Sequence, residues 1–446
     1  MADIPYVERL SREELETLQL ARLRRVVGWV YERVPFYRER LKAAGIRPEN
    51  LRSPADIQRL PFTAKVDLRD HYPFGLLAVP QREVVRIHAS SGTTGKPIVV
   101  AYTRSDLEVW AEVMARTLET GNVGPGDVVH NGYGYGLFTG GLGFHYGAER
   151  LGATVIPLSG GFTERQLMAM RDFGSTVLCC TPSYSLHLAE ALAEAGVKPG
   201  ELKLRVGFFG AEPWTEAMRD QIESRLGLAA LNIYGLSEVI GPGVAVECLE
   251  KNGMHVHEDH FLTEVIDPET LAPVPPGMPG ELVFTTLTKE ALPLLRYRTR
   301  DLSLVLAEPC PCGRTLRRIA RITGRTDDML IIRGVNVFPS QVEHVLMQTP
   351  GAEPHYLLVL RRERALDTLE VQVEARAEVQ AAGPTAVGAL AAQIRRRLHE
   401  ALGLTVEVTA LAPKTLERSV GKAQRVRDLR QRREKYSPPA KGGGEE

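Results

Sequence analysis

The chain has no apolar run near the roughly 18 residues that a membrane-spanning helix needs, no excess of either charge, and few cysteines. Its 446 residues carry 55 Lys+Arg and 55 Asp+Glu, a formal net charge of +0. That balance argues against the basic footprint of a nucleic-acid-binding protein. The basic run from Arg425 to Lys435 reads as a solvated face. Five cysteines in so long a chain do not make a disulfide framework, and the odd count argues for thiols or metal ligands in a reducing compartment. Met1-Ala2-Asp3-Ile4-Pro5 shows no charged-then-apolar signal pattern. A soluble cytoplasmic protein is therefore expected, with no nucleic-acid or membrane partner. The length exceeds what one core supports, so two or three domains are expected.

What is present is an alternation. Acidic residues Glu13, Glu14 and Glu16, followed by Leu18, Leu20, Leu23, Val26, Val27 and Val30 at helical spacing, predict a helical segment over 11–46. After an irregular stretch and a helix over 105–120, strands are expected at 127–130, 154–157, 176–180, 204–209 and 229–234. Helices fall between them, from 163, from 183 and over 215–226. Strands alternating with helices imply an α/β fold with a mostly parallel, helix-covered sheet whose ligands sit at the carboxyl ends of the strands. Beyond Glu238 short strands at 261–266, 281–286 and 302–306 suggest a β-rich subdomain around 240–323. After 324–328 a strand, a helix over 339–348, strands at 356–360 and 369–373, a helix over 387–402 and a strand at 405–411 make a small α+β domain. The expected division is a large domain over 1–326, a small one over 327–436 and a disordered tail over 437–446, rich in Pro, Gly and charge.

Between the apolar segments 84–88 and 98–102 lies Ala89-Ser90-Ser91-Gly92-Thr93-Thr94-Gly95-Lys96-Pro97. Glycines at 92 and 95 let backbone approach a ligand, four hydroxyls supply donors, and Lys96 adds charge, which together suit phosphate. A plain hairpin turn has the same composition. A Walker A loop is excluded: Ser90 stands where its first glycine belongs, Pro97 follows the lysine, and a β-branched strand rather than a helix comes next. Further informative loops close the predicted strands: the glycine-rich run 132–136, Gly210-Ala211-Glu212-Pro213, and Tyr234-Gly235-Leu236-Ser237-Glu238.

With these stretches and Glu258-Asp259-His260-Phe261, the run 294–301, the run 324–339 and Gly421-Lys422, the chain resembles the adenylate-forming superfamily of acyl-CoA synthetases. Within it the chain resembles the phenylacetate-CoA ligase family very closely, over nearly its whole length. The resemblance implies activation of phenylacetate or a close aryl-acetic acid by MgATP as an acyl-adenylate, then transfer to coenzyme A, with AMP and pyrophosphate released. It implies that Ser90, Ser91, Gly92, Thr93, Thr94, Gly95 and Lys96 hold the β- and γ-phosphates. Lys422 reaches the α-phosphate and the carboxylate, and Glu238 binds Mg²⁺. Asp301 accepts the ribose hydroxyls, Arg325 donates to ribose or phosphate, and Tyr234 flanks adenine beside Asn232, where the family often has aspartate. Gly210, Ala211, Glu212, Gly235 and Ser237 complete the nucleotide contacts. The small C-terminal domain becomes a mobile lid turning at Asp327, which exchanges Lys422 for the segment with Gly334, Val335 and Asn336 on the coenzyme A side. A homodimer follows from the family as well.

The aromatic acid is expected between Tyr133 and Phe138 on one side and Gly210 and Ala211 on the other, where small residues leave room for a flat ring. Those aromatics are also ordinary core candidates. Asp301 after Arg296, Arg298 and Arg300 could be an ion-paired loop carboxylate, Glu238 a solvated or capping residue and Lys422 a surface lysine; their joint occurrence in family order favours the site. Cys310-Pro311-Cys312, with Cys248 and His255, predicts a Cys₃His structural zinc site, His255 being preferred to His257, which abuts the Glu258 motif. Cys179 and Cys180 read as core. Alternative readings are an adenylating enzyme with a carrier-protein or amine acceptor, a P-loop kinase, and a nucleotide-binding module without turnover.

Overall fold

Runs such as Val177–Cys180 and Val206–Phe209, apolar except for one glycine and buried at every position, form the centre of a sheet covered on both faces. Successive side chains alternate between two cores: Val177, Cys179, Phe208 and Leu231 join one, and Leu178, Cys180, Phe209 and Ala230 join the other. The second core takes the helices Thr163–Asp172, Pro182–Glu194 and Glu216–Leu226. The first takes Arg104–Glu119 and Gly140–Leu151.

The computed structural model describes residues 4–90, 97–333, 335–363, 366–418 and 423–430. Thr154–Ile156, Val128–Asn131, Val177–Cys180, Val206–Phe209 and Ala229–Leu236 pair in parallel in that order. The same sheet continues antiparallel through Gly241–Glu247, Met254–Val256, Arg318–Ile319 and Val305–Leu306. A second, antiparallel sheet runs Phe261–Ile266, Gly280–Thr286, Tyr297–Ser303 and Gly324–Arg325. The strand expected at 302–306 thus begins earlier, because Tyr297, Thr299, Asp301 and Ser303 alternate buried with half-buried neighbours. Among the described residues no helix is long and apolar enough to cross a membrane.

The expected helical segment over 11–46 is two helices, Arg12–Arg33 and Pro35–Ala43. Pro35 forces Val34 to φ −113° and ψ 106°, so the chain turns there. Ser11 opens the first helix with a capping box: its hydroxyl accepts from the Glu14 N–H at 3.3 Å and its own N–H donates to Glu14 Oε2 at 2.8 Å. Arg12 forks onto both oxygens of Glu258 at 2.9 and 2.8 Å, tying this helix to the sheets. Below it Arg116, itself buried, meets Glu8 at 2.9 Å and both oxygens of Asp259 at 3.1 Å, so three buried charges satisfy one another.

By contacts the chain divides into two units, Met1–Asp328 with Arg418–Ala423, and Met329–Glu417 with Gln424–Glu446. The division falls two residues past the expected 326/327 boundary. The second unit holds a short hairpin of Leu330–Ile332 with Val335–Val337. Its mixed sheet runs Glu407–Leu411, Leu366–Ala375, Ala352–Glu363 and Val426–Asp428. The helices Pro339–Met347 and Pro384–Leu402 pack on it through Val342, Leu346, Leu390, Ile394 and Leu398.

Candidate functional site

The strands Val206–Phe209 and Ala229–Leu236 lie side by side in parallel, so the turns after them emerge together. A Cβ on Gly210 would lie 2.5 Å from the Ile233 carbonyl, so only glycine lets the first turn pass the neighbouring strand this closely. Ala211 then adopts φ 69°, a left-handed conformation costing an alanine about 1 kcal/mol. Beside these turns opens a cavity of about 180 Å³, lined among others by Ala211, Asn232, Tyr234, Asp301, Ile322 and Arg325.

Polar groups converge on this cavity. Asp301, buried on its strand, receives the Tyr234 hydroxyl on Oδ2 at 2.6 Å and Arg325 Nη1 on Oδ1 at 2.5 Å. Burial pushes the Asp301 carboxyl above its ordinary range, against the pull of Arg325. Each carboxylate oxygen keeps a free lone pair for a further donor. The Tyr234 ring packs on Phe284, centroids 5.8 Å apart. Arg325 also reaches Asp327 at 2.9 Å and Asp328 at 3.5 Å. At the other end Asn232 Oδ1 accepts from the Trp214 indole N–H at 2.9 Å.

Glu212 also lines the cavity, and its carboxylate is engaged by protein donors. Oε1 accepts from the N–H of Ser183 at 2.8 Å and from its hydroxyl, and Oε2 accepts from the Ala423 N–H at 2.8 Å. Ser237 and Glu238 follow Leu236 and are buried, with Ser237 Oγ 3.3 Å from Thr139 Oγ1. The buried Tyr297 hydroxyl feels the Glu238 carboxylate, which together with burial pushes it up. The buried Lys289 donates to the Val239 carbonyl at 3.0 Å and sits 4.2 Å from the centre of the Tyr102 ring. Burial pushes its amine down to about 8, while Asp106 and Glu238 pull upward. A carboxylate among hydroxyls is an oxygen donor set that fits a hard cation such as Mg²⁺.

The strands Arg86–Ala89 and Val99–Tyr102 pair antiparallel. Ser90 N–H donates to the Ile98 carbonyl at 3.0 Å and Ile98 N–H to Ser90 Oγ at 3.4 Å, holding these two strand ends together. Ser91, Gly92, Thr93, Thr94, Gly95 and Lys96 lie outside the described residues, as do Gly334 and Lys422. Val335 and Asn336 belong to the short hairpin of the second unit, Asn336 exposed.

Of the residues expected around the acid, Tyr133 is 3% exposed and stacks on Phe144 at 5.3 Å, its hydroxyl donating to the Phe208 carbonyl at 3.4 Å. Phe138 is 42% exposed, its ring turned over Gly140. Tyr133, Gly210 and Ala211 thus lie at the same end of the parallel sheet, one strand apart, while Phe138 faces solvent.

Some 62 residues apart in the chain, Cys248 and Cys310 bring their sulfurs to 3.7 Å, and Cys312 Sγ lies 3.4 Å from His255 Nε2. All four ligand atoms fall within 4.8 Å of one another. Tetrahedral zinc would set sulfurs about 3.8 Å apart and a sulfur and a nitrogen about 3.6 Å apart. His257 instead turns Nδ1 to the Gly243 carbonyl at 2.8 Å. The Cys312 thiol is pushed down by the Cys248 hydrogen bond first and then by His255, while Cys248 is pushed up; a thiolate is the metal-binding form.

The sequence reading missed Trp214, Met254 and Ile322 as cavity lining. Trp214 directly follows the Gly-Ala-Glu-Pro turn, which is a usable signal; Met254 and Ile322 belong to segments brought in by antiparallel pairing and carry none.

The AMP-binding enzyme model matches residues 38–287, and the AMP-binding enzyme C-terminal domain model matches 334–430. The phenylacetate-coenzyme A ligase of Thermus thermophilus is 55% identical over 96% of this chain and 99% of its own. That of Escherichia coli is 51% identical over 95% and 97%. Among solved structures, 2-hydroxyisobutyryl-CoA ligase in the postadenylation state with 2-HIB-AMP superposes with a TM-score of 0.90 at 32% identity, covering 95% of this chain and 91% of that one.

Proposed function

The chain belongs to the AMP-binding enzyme family, and from that membership we propose that it activates phenylacetate, or a close aryl-acetic acid, with ATP as the acyl-adenylate and transfers the acyl group to coenzyme A, releasing pyrophosphate and AMP. The observation that carries this reading is the cavity at the strand ends, where Asp301, Tyr234, Arg325 and Asn232 converge. A carboxylate attacking the α-phosphate is an anion meeting a polyanion, so the site must supply donors and positive charge where negative charge accumulates.

In this reading the second lone pairs on the Asp301 oxygens accept the ribose hydroxyls, and Arg325 offsets part of the upward push that burial gives that carboxyl. Asn232 reads the base and Tyr234 flanks it. The 90–96 loop holds the outer phosphates and Lys422 serves the α-phosphate. Glu238 is the residue that would hold Mg²⁺, whose charge offsets that of the phosphates when bound. Tyr133, Gly210 and Ala211 bound the aryl group on the side away from the base, with Phe138 at the mouth. Gly334, Val335 and Asn336 receive the pantetheine arm, and Asp327, ion-paired to Arg325, serves as the hinge.

The Cys248, His255, Cys310 and Cys312 cluster is proposed to bind a structural zinc ion, supported by spacings that match a tetrahedral site with no open position. None of the five cysteines forms a disulfide, which suits the cytoplasm.

The experiment is a panel of aromatic acids incubated with ATP, Mg²⁺ and coenzyme A, read as AMP and thioester formed. Phenylacetate is expected to give the highest kcat/KM, with AMP and not ADP as product. Production of ADP, or AMP formation indifferent to coenzyme A, overturns the assignment.

A further inference from the structure

The Trp214 indole N–H reaches Asn232 Oδ1 at 2.9 Å, and both side chains are buried, at 2% and 5% exposure, on the wall of the cavity. An indole N–H can only donate, so the atom it faces must be the amide carbonyl; the orientation of this side chain is set by chemistry. The Asn232 backbone N–H donates to Glu247 Oε2 at 2.7 Å. Glu247 in turn is gripped by both terminal nitrogens of Arg219 at 2.8 and 2.9 Å, and the Arg219 guanidinium lies 4.9 Å from the centre of the Trp214 ring. Backbone, side chain and tryptophan are thus held by one closed set of contacts. Among the described residues the Asn232 amide NH₂ has no acceptor, although it lines the cavity.

We propose that Trp214 is a positioning residue for base selection: by locking the Asn232 amide it makes the cavity match a 6-aminopurine and mismatch a 6-oxopurine. This rests on the nucleotide reading of the cavity given above. Locked, Asn232 offers its NH₂ as donor and the second lone pair of Oδ1 as acceptor. A 6-aminopurine presents the complement, an amino donor beside a ring-nitrogen acceptor, and asparagine can pair with both. A 6-oxopurine presents an acceptor at position 6 beside an N–H at position 1. It would fit only the amide turned by a half-circle, which would set the NH₂ against the indole N–H, two donors face to face. Across the other ring edge it presents two acceptors, one of which meets Oδ1. Base choice is thus made by a residue that donates to the reader and not to the base.

The test measures Kd and kcat/KM for ATP, GTP and ITP with the full-length protein. The unaltered chain is expected to prefer ATP strongly. Trp214→Phe keeps the ring and removes the N–H, and is expected to narrow the ATP:GTP and ATP:ITP ratios by about tenfold, the size of one hydrogen bond. In an Asn232→Ala background the same change is expected to leave the ratios where Asn232→Ala has put them. An equal rise of KM for all three nucleotides, with ratios kept, would mean a packing role and overturns the proposal, as does a Trp214 effect that persists without Asn232. Should Trp214→Phe not fold, Asn232→Ala decides: retained preference for ATP overturns the lock, and collapsed preference upholds it. Failure of the unaltered chain to bind any of the three would sink the nucleotide reading itself, a result separate from all of these.

Discussion

Half-buried Arg325 and buried Asp301 form a pair in which Nη1 lies 2.5 Å from Oδ1, and the carboxyl is pushed up by burial and pulled down by that guanidinium. In the proposed reading Asp301 is the ribose acceptor, and its ionisation depends on its neighbour. Arg325→Ala is expected to raise KM for ATP at least tenfold, for a charge-assisted hydrogen bond worth about 2 kcal/mol. The carboxyl moves further up without the arginine, so the acid limb of kcat/KM for ATP shifts to higher pH. A steady-state pH profile checks this, and an unshifted limb counts against the pairing.

Cys310→Ser removes one of four candidate zinc ligands whose atoms lie within 4.8 Å of one another. The purified protein is expected to hold about one zinc ion per chain, the variant far less, and its melting temperature is expected to fall because metal binding to the fold alone stabilises it. Elemental analysis and calorimetry measure both. Low zinc in the unaltered protein, with melting indifferent to the substitution, argues for plain thiols.

Lys422→Ala is expected to lower adenylate formation by roughly a hundred- to a thousandfold, the usual cost of one donor to a developing charge. The same variant supplied with phenylacetyl-adenylate and coenzyme A is expected to form thioester at nearly the original rate. Single-turnover assays of each half-reaction separate the two, and equal losses would reject the division of labour.

Lys289 is 5% exposed and its amine sits at about 8, below the ordinary 10.5, chiefly through burial. Below about pH 8 the amine is protonated folded and unfolded, and the fold carries the full cost of the buried charge. Between about 8 and 10.5 the folded amine has shed its proton while the unfolded one keeps it, so relative stability rises with pH. Stability of the unaltered chain measured against Lys289→Met is accordingly expected to improve by about 3 kcal/mol from pH 7.5 to 10.5. Denaturant melts across that range test it; a flat difference means the amine is not buried as a cation.

Much of the fold was legible in local pattern. The strand at Phe261–Ile266 matches its expected bounds, and the helix Glu216–Leu226 begins directly after Thr215, whose hydroxyl accepts from the Met218 N–H at 3.3 Å. Such signals work because caps, turn residues and alternation act within a few residues of one another. The break at Val34–Pro35 was overlooked although its cause is local, the proline restricting the residue before it. Strand limits in the β-rich region slipped because pairing partners such as Glu281 and Leu302 lie far apart in sequence, and single-strand patterns do not encode them.

By itself the sequence determined the kind of chemistry: hydroxyls, glycines and lysine at 90–96, carboxylates at 238 and 301, and three cysteines with a histidine, each chosen for what its atoms can donate, accept or ligate. Only the tertiary structure decided which way those atoms face. Phe138 lies at the surface and Tyr133 inside, His255 rather than His257 turns to the sulfurs, and the Asn232 amide is oriented by a tryptophan 18 residues away. The reason is physical: residue type sets a side chain's capacity to bond, but its direction depends on partners supplied by other elements, and these exist only once the sheets have closed.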